Sequence, residues 1–169
     1  PARFLDQSTQ PHITTLIALA SISALAMNIF LPSLPSMAAY YNTTPSIMSL
    51  SVAIYLGASA LLQLFSGPIS DRIGRRPVIL ISLILFIIAS LATIWAPNAE
   101  TFLALRFVQA FAATTMVLSR AVVRDTVGKE AAASKIAYVT MGMAVAPMIG
   151  PGIGGYLDKY FGWQQYLPY

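Results

Sequence analysis

The chain has 169 residues, of which 57% are hydrophobic and only 9% are charged, and its mean hydropathy is +0.70. This composition excludes an ordinary soluble domain, in which about 25% of residues are charged. The sequence contains no cysteine, which excludes disulfides, thiolate catalysis and cysteine-based metal sites. A net charge of +4 could indicate nucleic acid as a partner, but the cationic residues lie mainly between long apolar runs, which indicates a membrane instead.

Five long apolar runs predict five membrane-spanning helices, because about 20 apolar residues cross the hydrocarbon core of a bilayer. The predicted spans cover residues 13–35, 46–67, 77–96, 101–121 and 134–157. Their short polar connections predict antiparallel packing of neighbouring spans. The predicted fold class is therefore an all-α membrane protein, a transmembrane helix bundle.

The first span carries one amide, Asn28, shortly before Pro32 and Pro35. A buried amide needs hydrogen-bond partners. A contact with another helix and a contact with a ligand both satisfy that need. Asn28 is therefore a substrate-cavity candidate, with a packing role as the alternative.

Polar or small residues recur every four positions in the second span, at Ser51, Tyr55, Ser59, Gln63 and Gly67. Such a stripe is expected to face protein or a polar cavity and not lipid. The serines have packing as their alternative role, since their hydroxyls can bond within their own helix. Tyr55 and Gln63 are the better cavity candidates.

The segment Gly67–Pro77, with the sequence GPISDRIGRRP, follows the second span and is strongly basic. Short loops rich in Arg and Lys face the cytoplasm, so we expect a cytoplasmic N-terminus. Aromatic residues then fall at the opposite interface, where amphipathic rings prefer to lie. These residues are Tyr40, Tyr41, Trp95, Tyr160 and Trp163.

The third span is almost uniformly apolar, which predicts contact with lipid over much of its surface. The fourth span carries Arg106, whose charge costs at least about 2.5–3.5 kcal/mol inside a membrane on insertion scales. Because Arg106 follows Phe102 by only four residues, its side chain could reach the interface. Gln109 on the same helical face favours the interior instead. Arg106 and Gln109 are therefore cavity candidates.

Small residues recur every four positions in the fifth span, at Gly142, Ala146, Gly150 and Gly154. This small-residue ridge predicts close approach of another helix. Pro147 and Pro151 are expected to kink the span. The sequence is consistent with two roles for the ridge: static close packing, or an interface that moves. Tyr138 and Met143 of this span are further cavity candidates.

Four segments in this order resemble the drug-efflux (drug:proton antiporter) branch of the major facilitator superfamily, above all its bicyclomycin- and chloramphenicol-resistance type. The segment Gly67–Pro77 resembles the loop signature between spans two and three, and Leu105–Ala110 resembles the R-x-x-Q-G motif of the fourth span. Ala146–Gly155 resembles the antiporter signature G-x-x-x-G-P-x-x-G-G. Asn28–Pro35 resembles the first-span pattern D-x-x-L-P-x-x-P.

The resemblance implies twelve helices in two halves that expose a central cavity alternately to either side. Spans one and four would line the cavity, and spans two and five would face the other half. A conformational latch would comprise Gly67, Asp71, Arg72, Gly74, Arg75 and Arg76. The antiporter-signature helix would comprise Ala146, Pro147, Gly150, Pro151, Gly154 and Gly155.

On this resemblance the chain is expected to be the N-terminal half without its sixth span. Residues 1–169 would form one N-terminal transmembrane bundle, whose partners are the lipid bilayer, the missing C-terminal half and a small-molecule substrate. The chain alone is expected not to transport, and its small-residue ridge is expected to lack its proper partner. Bacterial inner membrane is the expected location.

The expected function is secondary-active efflux of small amphipathic drug-like compounds, without cofactors and driven by a proton gradient. Asn28 stands where the family usually has aspartate, and it cannot titrate. Coupling would then use the missing half, Asp71 or Asp125. A metabolite facilitator or importer without proton coupling, and a non-transporting membrane scaffold, are the alternatives. An enzyme is not expected, because the spans hold no cluster of His, Asp or Glu.

Overall fold

The computed structural model describes residues 12–126 and 129–161, and every regular element within them is a helix. The α-helices are α1 (Ile13–Asn28), α2 (Leu34–Tyr40), α3 (Pro45–Ile73), α4 (Arg75–Ala92), α5 (Ala99–Gln109), α6 (Ala112–Thr126) and α7 (Lys129–Phe161). Short 3-10 helices at Leu31–Ser33 and Thr93–Trp95 precede α2 and continue α4.

Within the described residues, five helical segments are long and apolar enough to cross a membrane. They are Ile13–Tyr40, Pro45–Ile73, Arg75–Trp95, Ala99–Asp125 and Ala132–Leu157. The predicted all-α membrane class is confirmed. The first segment continues to Tyr40 instead of ending at residue 35, because Pro32 and Pro35 occupy first-turn positions, where the missing N–H of proline is not needed.

The basic segment folds as two helix ends joined by one residue, Gly74, and not as an extended loop. Gly74 has a φ of 96°, in the region that favours glycine. Helix α3 runs through Gly67 and Pro68 to Ile73, and α4 begins at Arg75. This reversal defines the basic end of the bundle, where α3 ends and α4 begins.

Helix α4 has one exposed apolar face and one face that packs against the other helices. Its exposed residues are Leu80, Ile81, Ile84, Ile87, Ile88 and Leu91. Its buried residues are Val78, Ile79, Ser82 and Ala89. The third span therefore leaves much of its apolar surface exposed within the described residues, while its other face closes one side of the bundle.

The small-residue ridge of α7 packs against α1, and these two helices form the most extensive contact of the bundle. A Cβ atom added to Gly154 would collide with the carbonyl oxygen of Ile29, and one added to Gly142 would collide with the side chain of Ile17. The predicted close approach is thus present. The expectation that the ridge lacks a partner is wrong, because α1 of the same chain occupies it.

We expect Gly154→Ala to destabilise the protein, because the new methyl group forces α1 away from α7, and overpacking typically costs about 1–3 kcal/mol. Gly152→Ala is the matched control, since no atom lies within 4 Å of a Cβ at that position. Thermal unfolding midpoints of the detergent-purified protein measure the difference. Equal midpoints for the two variants would contradict the tight contact between α1 and α7.

Candidate functional site

A cavity of about 280 Å³ lies between the first, third and fourth spans. Its wall is mostly apolar, and its polar groups come from the third and fourth spans. The lining residues are Ala26, Ile29, Phe30, Met37, Phe86, Ser90, Thr93, Ile94, Phe102, Arg106 and Gln109. We call this cavity the Arg106 pocket. An apolar cavity with a few converging polar groups is the usual form of a small-molecule site.

Arg106 carries the only charged group among the residues that line the pocket, and it is only 5% exposed. Its Nη1 donates to Gln109 Oε1 at 2.7 Å and to the Ala26 carbonyl oxygen at 3.3 Å. Its Cζ lies 3.5 Å from the centre of the Phe30 ring, a cation–π contact. Arg106 is therefore an interior residue, and its side chain does not extend towards the membrane interface.

Gln109 joins Arg106 to the third span. While its Oε1 accepts from Arg106, its Nε2 donates to Thr93 Oγ1 at 3.0 Å and to Ser90 Oγ at 3.2 Å. Thr93 Oγ1 in turn donates to the Ala89 carbonyl oxygen at 2.7 Å. The amide and both hydroxyls are thus bonded to protein, and they hold the Nη1 side of the guanidinium in one orientation.

The charge of Arg106 is not balanced within the described part of the chain. None of the ion pairs found there includes Arg106, and its Nε and Nη2 are buried without a hydrogen-bond partner. A buried polar group without a partner costs about 1–3 kcal/mol, and a charged one costs more. Arg106 therefore brings a positive charge to the wall of an apolar pocket, and two of its N–H groups are buried without a partner.

Aromatic and apolar packing supports the end of the pocket that lies away from the basic end. Phe102, which lines the pocket, contacts the Tyr41 ring at 5.9 Å between centroids, and Met37 is fully buried beside them. Burial, assisted by the neighbouring Tyr40, raises the pKa of Tyr41 to about 12, so its phenol stays neutral. Tyr41 therefore adds no charge to this end of the pocket at neutral pH.

At the basic end, Arg75 joins the reversal between α3 and α4 to the end of α6. Its Nη2 lies 2.6 Å from Asp71 Oδ1, and its Nε lies 3.1 Å from Asp125 Oδ2. Its Nη1 also donates to Ser70 Oγ. We call Ser70, Asp71, Arg75 and Asp125 the latch network. The sequence places Asp71 beside Arg72, but the ion pair of Asp71 is with Arg75, on the other side of the reversal at Gly74.

Two other cavity candidates from the sequence, Tyr55 and Asn28, do not line the pocket. The Tyr55 hydroxyl donates to the Ser23 carbonyl oxygen at 3.1 Å, and its ring lies 5.4 Å from the Arg106 Cζ. Asn28 lies on a different face of α1, against Gly150, and its Nδ2 donates to the Ala24 carbonyl oxygen at 2.7 Å. The contacts of Asn28 are those of helix packing.

The remaining cavity candidates lie away from the Arg106 pocket. Tyr138 is exposed on α7, and Gln63 is half-buried in α3. Met143 packs between α1 and α6, where its sulfur accepts from Arg120 Nη2 at 3.2 Å. Of the seven candidates, the structure brings only Arg106 and Gln109 together in one pocket.

The antiporter-signature helix forms the α7 side of the contact with α1. Ala146, Gly150 and Gly154 are buried, and Gly155 lies beside Pro32. Helix α7 continues through Pro147 and Pro151 without a break in its assignment. These residues set the position of the first span and do not line the pocket.

Sequence reasoning missed Phe30 and the contribution of the third span to the pocket. A usable signal was present, because Ser90 and Thr93 are three residues apart in a predominantly apolar span and so share one face. Phe30 gives no such signal. Only the fold shows that its ring covers the guanidinium of Arg106.

Five apolar helical segments, a buried arginine in an apolar pocket and a basic helix reversal define an integral membrane protein built as a helix bundle. The sequence profile described as Major Facilitator Superfamily matches residues 16–166. The chain belongs to this family, whose members are transporters and not enzymes.

Several curated bacterial relatives of the chain are named as drug-resistance proteins. The chain is 37% identical over 147 residues to a chloramphenicol resistance protein of Pseudomonas aeruginosa, covering 85% of this chain and 35% of the relative. It is 33% identical over 159 residues to a bicyclomycin resistance protein homolog of Haemophilus influenzae, covering 94% and 40%. It is 31% identical over 150 residues to multidrug resistance protein D of Escherichia coli, covering 88% and 38%. The chain thus spans between 35% and 40% of the length of these three relatives.

We expect Arg106→Met to leave the thermal unfolding midpoint unchanged or to raise it. A buried charge without a carboxylate partner carries a desolvation cost that an apolar side chain of similar length avoids. Arg75→Met serves as the contrast, since Arg75 has two carboxylate partners, and its midpoint should fall slightly. Midpoints of the purified variants test both. A fall of many degrees for Arg106→Met would show that Arg106 holds the bundle together.

Proposed function

We propose that the full-length protein is a secondary-active efflux transporter of small amphipathic compounds in the bacterial inner membrane. The observation that carries this proposal is the Arg106 pocket, an apolar cavity lined by a buried arginine that has no carboxylate partner among the described residues. The resistance names of the relatives add the substrate class. Alternating exposure of the cavity to the two sides of the membrane would carry the compound across.

The proposed orientation places the basic end, and with it the N-terminus, in the cytoplasm. Arg72, Arg75 and Arg76 lie at the reversal between α3 and α4, and Arg124 lies near the end of α6 at the same end of the bundle. Arginine at the short connections of a membrane protein favours the cytoplasmic side. Trp95 and Tyr160, both largely exposed, lie at the other end, where aromatic rings prefer the lipid interface.

The proposed energy source is the proton gradient, with no cofactor. Asn28 cannot carry a proton, and the pocket contains no carboxylate among its lining residues. Asp71 and Asp125 of the latch network lie near the ends of the second and fourth spans. In this proposal they act as charged contacts, and the coupling acid lies elsewhere in the full-length protein.

A facilitator without proton coupling is the second candidate function, and the uncharged Asn28 is the observation that favours it. The two candidates differ in a flux assay with the full-length protein in liposomes. Proton-coupled efflux predicts that an imposed pH gradient accelerates uptake of the compound against its own gradient. A facilitator only equilibrates the compound, whatever the pH gradient.

We expect Arg106→Ala in the full-length protein to abolish drug resistance, because the substitution removes the donors and the charge of the pocket. The measurement is the inhibitory concentration of chloramphenicol for an efflux-deficient bacterium that expresses each variant at an equal membrane level. Trp95→Ala is the control, since this side chain is 63% exposed and outside the pocket. Undiminished resistance in Arg106→Ala would refute a role of the pocket in transport.

We expect Arg75→Gln to shift the protein towards its inward-facing state, because it removes both ion pairs of the latch network. Partly exposed ion pairs contribute up to about 1 kcal/mol each, so the loss of both should change the ratio of the two states by up to about thirtyfold. A single cysteine replacing Tyr138, an exposed residue of α7, reports the change by its reaction rate with a membrane-impermeant thiol reagent.

The control for this experiment is Arg72→Gln. It removes the same charge from the same segment, but Arg72 is not part of the latch network. Equal labelling rates in Arg75→Gln and Arg72→Gln would show that the latch network does not set the balance of states.

A further inference from the structure

We infer that Tyr55 is a positioning residue for the Arg106 pocket, although it does not line the pocket. Its hydroxyl holds the first span, and its ring lies beside the guanidinium of Arg106. Tyr55 therefore sets how two walls of the pocket lie relative to each other. This inference rests on the proposed function, because it requires that the pocket binds the transported compound.

The hydroxyl of Tyr55 joins the second span to the first. It donates to the Ser23 carbonyl oxygen at 3.1 Å and lies 3.3 Å from Ser23 Oγ, and Tyr55 is only 2% exposed. Ala26 follows Ser23 by three residues, so both lie on the same side of α1. The Ala26 carbonyl oxygen accepts from Arg106 Nη1. The phenol thus fixes the turn of α1 that supplies one hydrogen-bond partner of Arg106.

The ring of Tyr55 joins the second span to the fourth. Its centroid lies 5.4 Å from the Arg106 Cζ, which is within the range of a cation–π contact. Tyr55 also shares a buried apolar cluster with Ala110, which lies one turn beyond Arg106 along the chain. The ring of Phe30, from the first span, has its centroid 3.5 Å from the same Cζ. Two aromatic rings from different spans therefore limit where the guanidinium can lie.

Arg106 depends on such contacts because no carboxylate orients it within the described part of the chain. A long side chain with several rotatable bonds loses conformational entropy when it is held in one position. A binding geometry is kept by neighbours whose own side chains are locked by packing and hydrogen bonds. Tyr55 meets this condition, since it is buried and bonded to another helix.

Two substitutions at Tyr55 separate the role of the hydroxyl from that of the ring. Tyr55→Phe removes the bond to α1, and Tyr55→Leu also removes the ring beside Arg106. The measurement is the dissociation constant of chloramphenicol for the purified full-length protein in nanodiscs, obtained by equilibrium dialysis. We expect binding to weaken about threefold in Tyr55→Phe and about tenfold in Tyr55→Leu. An unchanged dissociation constant in Tyr55→Leu would overturn the inference.

Ser59→Ala is the matched control for Tyr55→Phe. It also removes a buried hydroxyl from α3, but the Ser59 hydroxyl donates at 2.6 Å to the Tyr55 carbonyl oxygen of the same helix. Because this bond lies within one helix, its loss should change the dissociation constant by less than about twofold. Equal losses of binding in Ser59→Ala and Tyr55→Phe would contradict a special role of the bond between α3 and α1.

A double-mutant cycle tests whether Tyr55 acts through Arg106. In the Arg106→Met protein, Tyr55→Leu should weaken chloramphenicol binding by less than about twofold, because the side chain that Tyr55 positions is gone. A loss of binding by the same factor with and without Arg106 would show that Tyr55 supports the bundle in general. That result would overturn the inference.

A spectroscopic measurement of Arg106 requires no ligand. The nuclear magnetic resonance of its Nε–H group, identified by its loss in Arg106→Met, should shift in Tyr55→Leu because the ring current of Tyr55 is removed. The same resonance should stay in place in Ser59→Ala. An identical resonance in Tyr55→Leu and in the unaltered protein would overturn the inference.

Chloramphenicol flux in proteoliposomes separates this inference from the proposed function. Binding that depends on Tyr55, without flux in the unaltered protein, would reject transport and retain the positioning role. Flux together with a dissociation constant that is insensitive to Tyr55 would retain transport and reject the positioning role. If chloramphenicol does not bind the unaltered protein, it is not a substrate, and the Arg106 resonance alone decides the role of Tyr55.

Discussion

The contact between α1 and the small-residue ridge of α7 fixes the position of everything that the pocket needs. Because Gly154 has no side chain, the backbone of α1 at Ile29 can lie directly against α7. The adjoining face of the first span then presents the Ala26 carbonyl oxygen and the Phe30 ring to Arg106. A first span displaced by one methyl group would lose both contacts, so the packing on one side of α1 determines the site on the other.

In lipid, apolar side chains gain little from leaving one hydrocarbon environment for another, so packing and polar contacts decide how the helices associate. The bundle shows both devices. Small residues allow α1 and α7 to approach, and the hydroxyls of Ser23, Thr93 and Thr115 bond to backbone or side-chain groups across or along helices. Against this background the unsatisfied edge of Arg106 is an exception, and exceptions of this kind in a membrane interior are functional-site candidates.

Much of the architecture could be predicted from the sequence, because span length, glycine spacing and arginine position each obey a local rule. The five spans, the close approach at the ridge and the polar stripe of the second span, with Ser51 and Tyr55 buried, all follow such rules. The identity of the contacting helices and residues does not follow from local rules. That α1 and not another half lies on the ridge, and that Asp71 pairs with Arg75, depends on the angles between helices, which no local pattern specifies.

The site shows the same division. The interior position of Arg106 and Gln109 was predictable, because both share one face of a short helix. Asn28 looked like a cavity residue because its residue type is rare in a span, yet it lies opposite the pocket on α1. Rotational position around a helix axis decided between the two outcomes, and a change of about 100° per residue is enough to move a side chain from cavity to packing surface.

The fourth span consists of two helices and not of one continuous helix. Its two helices, α5 and α6, meet at Ala110 and Phe111, where the backbone makes bonds three residues apart, including Phe111 N–H to the Val108 carbonyl oxygen at 3.1 Å. Arg106 stands on one side of this joint, and Asp125 stands on the other. Bending at this joint would change the distance between the Arg106 pocket and the latch network without unwinding either helix.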